Sequence, residues 1–313
     1  MKAVILDAAT LSNDIDLTPI AAQVEQLERF ELTGRHEVAE RLENAEIALT
    51  NKVIIDAAAL AELPKLKLIC VMATGTNNVA MDEARRRGIE VRNVAAYGTA
   101  SVVQHTVMMI LALATRLPLY QRDVARGAWN ASPIFTLLDH RIMQLQGKHL
   151  MIVGQGELGS GVARLAEALG MHVTFTARPG NERSDSRPAL ADIASHADVL
   201  SLHCPLTAET HHLIEEKLLA TMKSEALLIN CARGGVIDEA AALAALRDGR
   251  LGGLGVDSLP EEPPRSGHPL IDALGDEGLN LIVTPHNAWA TREARQRIIE
   301  LTAENIARFR DNG

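Results

Sequence analysis

The chain has 313 residues, 47% of them hydrophobic, with 40 acidic against 31 basic side chains and a formal net charge of −9. That length exceeds one ordinary domain and supplies apolar material for two buried cores, while the acidic balance excludes the basic stripe that a sequence-independent nucleic-acid surface needs. No apolar run approaches the ~18 residues of a membrane span, the start MKAVILDAAT turns acidic too soon for a signal peptide, and Cys70, Cys204 and Cys231 are odd in number with no CxxC spacing, so we expect a cytoplasmic protein with buried reduced thiols, no membrane or nucleic-acid partner and no bound metal.

From the N-terminus, short apolar runs alternate with helical patterns: KAVILDA, 18–27, RFELT, 36–45, EIALTN, 56–63, KLKLICVMA, 81–87 and EVRNV. Short buried strands separated by amphipathic helices mean parallel βαβ units, so residues 1–98 form one α/β domain. The loop Thr74-Gly75-Thr76-Asn77-Asn78 follows the strand ending near Ala73. Ligands of open α/β sheets bind at the carboxyl ends of strands, which makes it a candidate site. The basic run Arg85-Arg86-Arg87 stands just before Gly88, where cations complement a helix C-terminus.

A long helical pattern covers 99–125, with Val103, Val107, Ile110, Leu111 and Ala114 on one stripe and Pro118 set to kink it or end its first part. It bridges into a second domain. Residues 126–145 show little periodicity and read as an irregular connection.

The alternation then resumes with HLMIVG, and the stretch 149–178 organises everything after it. Its strand ends at Gly154-Gln155-Gly156-Glu157-Leu158-Gly159 and a helical pattern opens at once, the arrangement that seats a dinucleotide pyrophosphate on helix amides. The second strand of such a unit normally ends in an acid that takes the adenosine ribose hydroxyls. Here it ends in Thr176-Ala177, and Arg178 follows. An arginine fork pairs with a 2′-phosphate, so NADP is favoured over NAD, with NAD left open.

Three ionisable side chains stand at later strand ends: Arg233 after LLINCA, Glu262 after GLGVD and His286 after LIVTP. Taken singly, each is more often a solvated or structural residue. Together they suit reduction of a 2-oxo acid, which requires a proton for the carbonyl oxygen and a cation for the carboxylate. Imidazole titrates near neutrality, a carboxylate beside it fixes its tautomer, and guanidinium cannot lose its charge.

The segments LQGKHLMIVGQGELG, ADVLSLHCPLTAETHHLI, LLINCARGGVIDE, GLGVDSLPEEPP and IVTPHNAWAT resemble the D-isomer-specific 2-hydroxyacid dehydrogenases, and the resemblance spans essentially the whole chain. It implies Arg233, Glu262 and His286 as the catalytic set, on an NAD(P)-dependent oxidoreductase. It implies that Thr74, Gly75 and Thr76 bind the substrate carboxylate through backbone amides, with Arg233 and His286 also touching substrate. Asp257 matches the residue that holds the nicotinamide amide, Cys204 and Pro205 line the adenosine side, and Thr210, Cys231 and Ala232 join the cofactor contacts.

The fold implied is two doubly wound parallel-sheet α/β domains, one flavodoxin-like and one dinucleotide-binding, with a cleft between them. The first comprises residues 1–98 plus 290–313, since nothing in the second domain is left for the last helix to extend. The second comprises 99–289. Trp289 is similar to the glycerate and hydroxypyruvate branch, where it would wall a small substrate, and a homodimer is implied. Departures from the family pattern are Ala177, where NAD-preferring members carry an acid, Gln104 for the usual Glu and Ala80 for the usual Asp. The alternative function is a dinucleotide-sensing binding protein of the same fold, like the corepressors that keep these residues.

Overall fold

The computed structural model describes residues 1–312. It divides into two compact units, one of residues 1–98 with 290–312 and one of residues 99–289. Each is built on one parallel sheet.

The first unit's strands are β1 (Lys2–Ile5), β2 (Gln26–Arg29), β3 (Ile47–Thr50), β4 (Leu68–Val71) and β5 (Glu90–Asn93), in the order β2-β1-β3-β4-β5. Every pair is parallel. The inner strands β3 and β4 are buried at every residue, whereas the edges β2 and β5 have half-buried middles and exposed ends. That contrast is what helices on both faces of a parallel sheet impose. It also explains one difference from the sequence reading: the strand expected at RFELT lies earlier, at Gln26–Arg29, and the preceding helix stops at Ala21. QLER carries no apolar run because an edge strand has one open side. Arg85 pairs with Asp82, and Arg86 and Arg87 both pair with Glu83, so each arginine of this basic run is engaged by an acid of its own helix.

The second unit has β6 (His149–Val153), β7 (His172–Phe175), β8 (Val199–Leu202), β9 (Leu227–Asn230), β10 (Gly253–Val256) and β11 (Leu281–Val283), ordered β11-β10-β9-β8-β6-β7. All are parallel. Chain order reverses between β6 and β8, which opens a crevice at their carboxyl ends. Apolar clusters cover both faces of the sheet, one around Leu200, Leu228 and Leu254 and the other around Met109, Ile152 and Ile229. The helix Thr99–Ala114 packs on the second of these faces. It ends before Pro118: Arg116 takes a left-handed φ of 56°, and the helix Leu117–Ala125 leaves at 61° with Pro118 in its first turn. No single described helix is long and apolar enough to cross a membrane.

Candidate active site

The turn after β6 shows why its glycines are where they are. Gly154 has φ +104°, a conformation closed to L side chains, and a Cβ on it would run into the backbone of His203 at the end of β8. A Cβ on Gly159 would strike the Gly154 carbonyl, so the helix Glu157–Ala168 meets the turn backbone to backbone. Gly156, by contrast, meets nothing within 4 Å. Protein packing does not demand a glycine there, and the open space leaves the amides at the helix start accessible to an anion. Gln155, Gly156 and Glu157 are exposed, Leu158 is half-buried, and no side chain caps the helix. The arrangement fits a dinucleotide pyrophosphate.

After β7, Thr176 and Ala177 are buried and Arg178 is exposed. The Arg178 amide donates to Asp185 Oδ2 at 2.9 Å. Arg187, which the sequence reading passed over, forks onto Asp185 and donates from Nη1 to Gln155 Oε1 at 2.9 Å. Its guanidinium holds Asp185 well below the usual carboxylate range. Arg178 and Arg187 thus converge on Asp185 in the loop beside the glycine turn.

On the neighbouring strand ends, Cys204 is buried and Pro205 exposed, and buried Thr210 ties that loop by donating from Oγ1 to the Pro205 carbonyl at 2.6 Å. Cys231 and Ala232 are buried after β9. Burial pushes the Cys204 thiol up to about 11 and those of Cys70 and Cys231 to about 12. All three therefore stay protonated and serve as apolar wall or core.

Three loops carry the ionisable set. Arg233 is exposed, and its turn is held by Asn230, a fully buried strand-end amide that accepts from the Ala232 amide at 3.0 Å and donates to the Arg233 carbonyl at 2.8 Å. A Cβ on the next residue, Gly234, would collide with the Leu259 backbone. This contact brings the Arg233 turn against the loop that leads to Glu262. Glu262 Oε1 accepts the Leu259 amide at 2.8 Å, and Oε2 lies 2.5 Å from Nδ1 of His286. Both side chains remain about one-third open to solvent, at 33% and 27%.

His286 has φ 51°, left-handed for a residue with a Cβ. Its amide donates to the Asp257 carbonyl at 2.8 Å, and the Asp257 carboxylate lies buried beneath the same turn. Because an ionised carboxylate only accepts, Nδ1 of His286 carries the hydrogen of the bond to Glu262, leaving Nε2 as the atom that takes or gives a proton. Trp289 is half-buried against the core cluster of the second unit. Thr74, Gly75 and Thr76 belong to the first unit, at the carboxyl end of β4, where Asn93 donates from Nδ2 to the Thr74 carbonyl at 2.6 Å. Among the described residues no group of three or more His, Cys, Asp or Glu is placed to hold a metal ion.

The chain is similar along most of its length to known dehydrogenases and reductases. The profile for the NAD-binding domain of D-isomer specific 2-hydroxyacid dehydrogenases matches residues 107–288. A glycerate dehydrogenase of Methylorubrum extorquens is 44% identical over 274 residues, covering 87% of this chain and 85% of that protein. A hydroxypyruvate reductase of Blautia hydrogenotrophica is 33% identical, covering 99% and 97%. The crystal structure of a Thermus thermophilus protein superposes with a TM-score of 0.81 at 31% identity, covering 100% of this chain and 97% of that one.

Proposed function

The chain belongs to the D-isomer specific 2-hydroxyacid dehydrogenase family, and from that premise we propose that it reduces hydroxypyruvate or glyoxylate to the matching hydroxy acid with NAD(P)H. Relatives named for glycerate, hydroxypyruvate and glyoxylate turnover support this substrate class over a binding-only role. The observation that carries the reading is the 2.5 Å pair of His286 Nδ1 and Glu262 Oε2, with Arg233 on the adjoining turn.

A nicotinamide dinucleotide, when bound, supplies the hydride. The residues suited to hold it are the glycine turn 154–159 for the pyrophosphate, Cys204, Pro205 and Thr210 on the adenosine side, and Cys231, Ala232 and Asp257 toward the nicotinamide. His286 delivers the proton from Nε2 to the substrate's carbonyl oxygen, and Glu262 keeps the hydrogen on Nδ1 so that Nε2 is the nitrogen turned to the reaction. Arg233 pairs with the substrate carboxylate and polarises the carbonyl, its fork matching two oxygens at once. Thr74, Gly75 and Thr76 supply carboxylate contacts, and Trp289 borders the substrate, as in the family pattern.

NADP is favoured over NAD in this reading. Ala177 removes the acid that would repel a 2′-phosphate, and Arg178 offers a guanidinium beside it. Three buried thiols suit a reducing, cytoplasmic compartment. A homodimer is proposed through residues 126–145, where Trp129, Ile134, Phe135, Leu138 and Ile142 are exposed, Phe135 at 90%.

The direct test follows oxidation of NADPH and of NADH with hydroxypyruvate, glyoxylate and phenylpyruvate. Turnover fastest with the two small acids is the expected result. Tight cofactor binding with no turnover on any of the three would replace the enzyme reading by the binding one.

A further inference from the structure

A buried polar chain runs beneath the turn that carries His286, joining Asp257, a residue suited to face the nicotinamide, to Thr284 and His105, which have no part in the reaction scheme. The Asp257 side chain is 1% exposed. Its Oδ1 accepts the Thr284 hydroxyl at 2.5 Å and the Asn287 amide at 3.0 Å, and its Oδ2 accepts the Ala288 amide at 3.1 Å. One carboxylate therefore grips the turn on both sides of His286. The chain continues to the helix Thr99–Ala114, where His105 Nε2 lies 3.0 Å from Thr284 Oγ1 and 3.6 Å from Asp257 Oδ1.

The hydrogens fix the direction of this chain. Asp257 can only accept, so Thr284 spends its single hydroxyl hydrogen on the carboxylate and has only lone pairs left for His105. His105 must therefore donate from Nε2. Burial holds the His105 imidazole below its ordinary pKa against the pull of Asp257, which keeps it in the neutral form. Each bond polarises the next, so the ordered sequence is worth more than its separate members. The turn has reason to need it: the left-handed backbone of His286 persists only while neighbouring contacts over-determine it.

We propose that His105 is a positioning residue for His286, donating to Thr284 so that the Asp257 carboxylate holds the 284–288 turn, and with it the imidazole, in reacting geometry. The proposal rests on the reading of His286 as the proton donor. His105 touches neither substrate nor reacting atoms in this scheme.

The test uses two pairs of variants. His105→Gln keeps an N–H donor at the reach of Nε2 and His105→Ala removes it; Thr284→Ser keeps the hydroxyl and Thr284→Val removes it. His105→Ala and Thr284→Val should lower kcat roughly three- to thirtyfold, with KM and cofactor Kd held within about twofold, and His105→Gln and Thr284→Ser should recover most of the loss. Hydrogen exchange of the peptide containing 284–288 should quicken in His105→Ala and not in His105→Gln. Equal losses of kcat in the Gln and Ala variants, a KM that rises in step, or exchange unchanged in His105→Ala would overturn the proposal. Should His105→Ala fail to fold, the Thr284 pair decides by the same kcat criterion. A wild-type protein without turnover would sink the reading of His286 instead, and the exchange comparison would still decide whether His105 holds the turn.

Discussion

Glu262 Oε2 stands 2.5 Å from His286 Nδ1, while the other oxygen of the same carboxylate is tied at 2.8 Å to the Leu259 amide. The carboxylate is thus oriented by its own loop before it orients the imidazole. Only one tautomer of His286 satisfies this bond, the one that leaves Nε2 available for proton transfer.

Replacing Glu262 by Gln tests that dependence. An amide can offer Nδ1 a hydrogen as readily as an oxygen, so the imidazole loses its fixed tautomer and the negative charge beside it. We expect kcat to fall by roughly 10²-fold or more with cofactor Kd almost unchanged, and His286→Ala to fall at least as far. The pair should not be additive: the double variant should be no slower than His286→Ala alone. Independent, multiplying losses would mean that Glu262 acts on something other than His286.

Arg233 makes a different demand. Arg233→Lys keeps the positive charge and discards the planar fork, so it separates charge from geometry. Loss of one charge-assisted bond should raise KM for the oxo acid roughly tenfold to a hundredfold, with Arg233→Ala worse. A lysine variant with wild-type KM would show that a point charge suffices and that the bidentate pairing assumed here is wrong.

Cofactor choice turns on the loop after β7. Arg178→Ala should cut the NADP to NAD preference by roughly tenfold through kcat/KM for NADPH, leaving the NADH value nearly constant. Arg187→Ala should push in the same direction for another reason, because it strips the guanidinium from Asp185 and exposes an acid to the ribose side. An unaltered preference in Arg178→Ala would remove that residue from the phosphate site.

Much of this site is readable in the sequence because strand ends of one parallel sheet must converge, so Arg233, Glu262 and His286 can be grouped before any coordinate is known. The glycine turn is readable for the same local reason. What escaped was tertiary. Arg187 reaches Gln155 across 32 residues with no periodic pattern to announce it. Asn230 could have been noticed as an amide ending an otherwise apolar strand, since a fully buried polar group needs a stated partner. His105 sits in a helix whose pattern shows only which face is apolar, and nothing in that pattern points to Thr284. The shift of β2 from RFELT to Gln26–Arg29 has the converse cause, since an edge strand needs no apolar run for a pattern search to find.

The last helix, Arg292–Asn312, is tied to the start of the chain by an ion pair whose response to acid is specific. Arg295 forks onto Asp14, Nη1 to Oδ1 at 2.5 Å and Nη2 to Oδ2 at 3.0 Å, and Nη1 also donates to the Leu11 carbonyl at 2.6 Å. The hydrogen bond from Arg295, helped by Ser12, holds Asp14 down at about 2 against an ordinary 3.8. The folded state therefore binds this proton less readily than the unfolded one, so the stabilisation is complete above the ordinary value and is lost as pH falls through about 2. Asp14→Asn should lower the thermal midpoint at about pH 5, and the gap to wild type should close as the solution approaches about pH 2. Because Asp14 is open to solvent, added salt should narrow the gap as well. Thermal melts followed by circular dichroism across that range decide the matter: a difference that persists undiminished in acid, or none at about pH 5, would show that the Asp14–Arg295 contact does not anchor this helix.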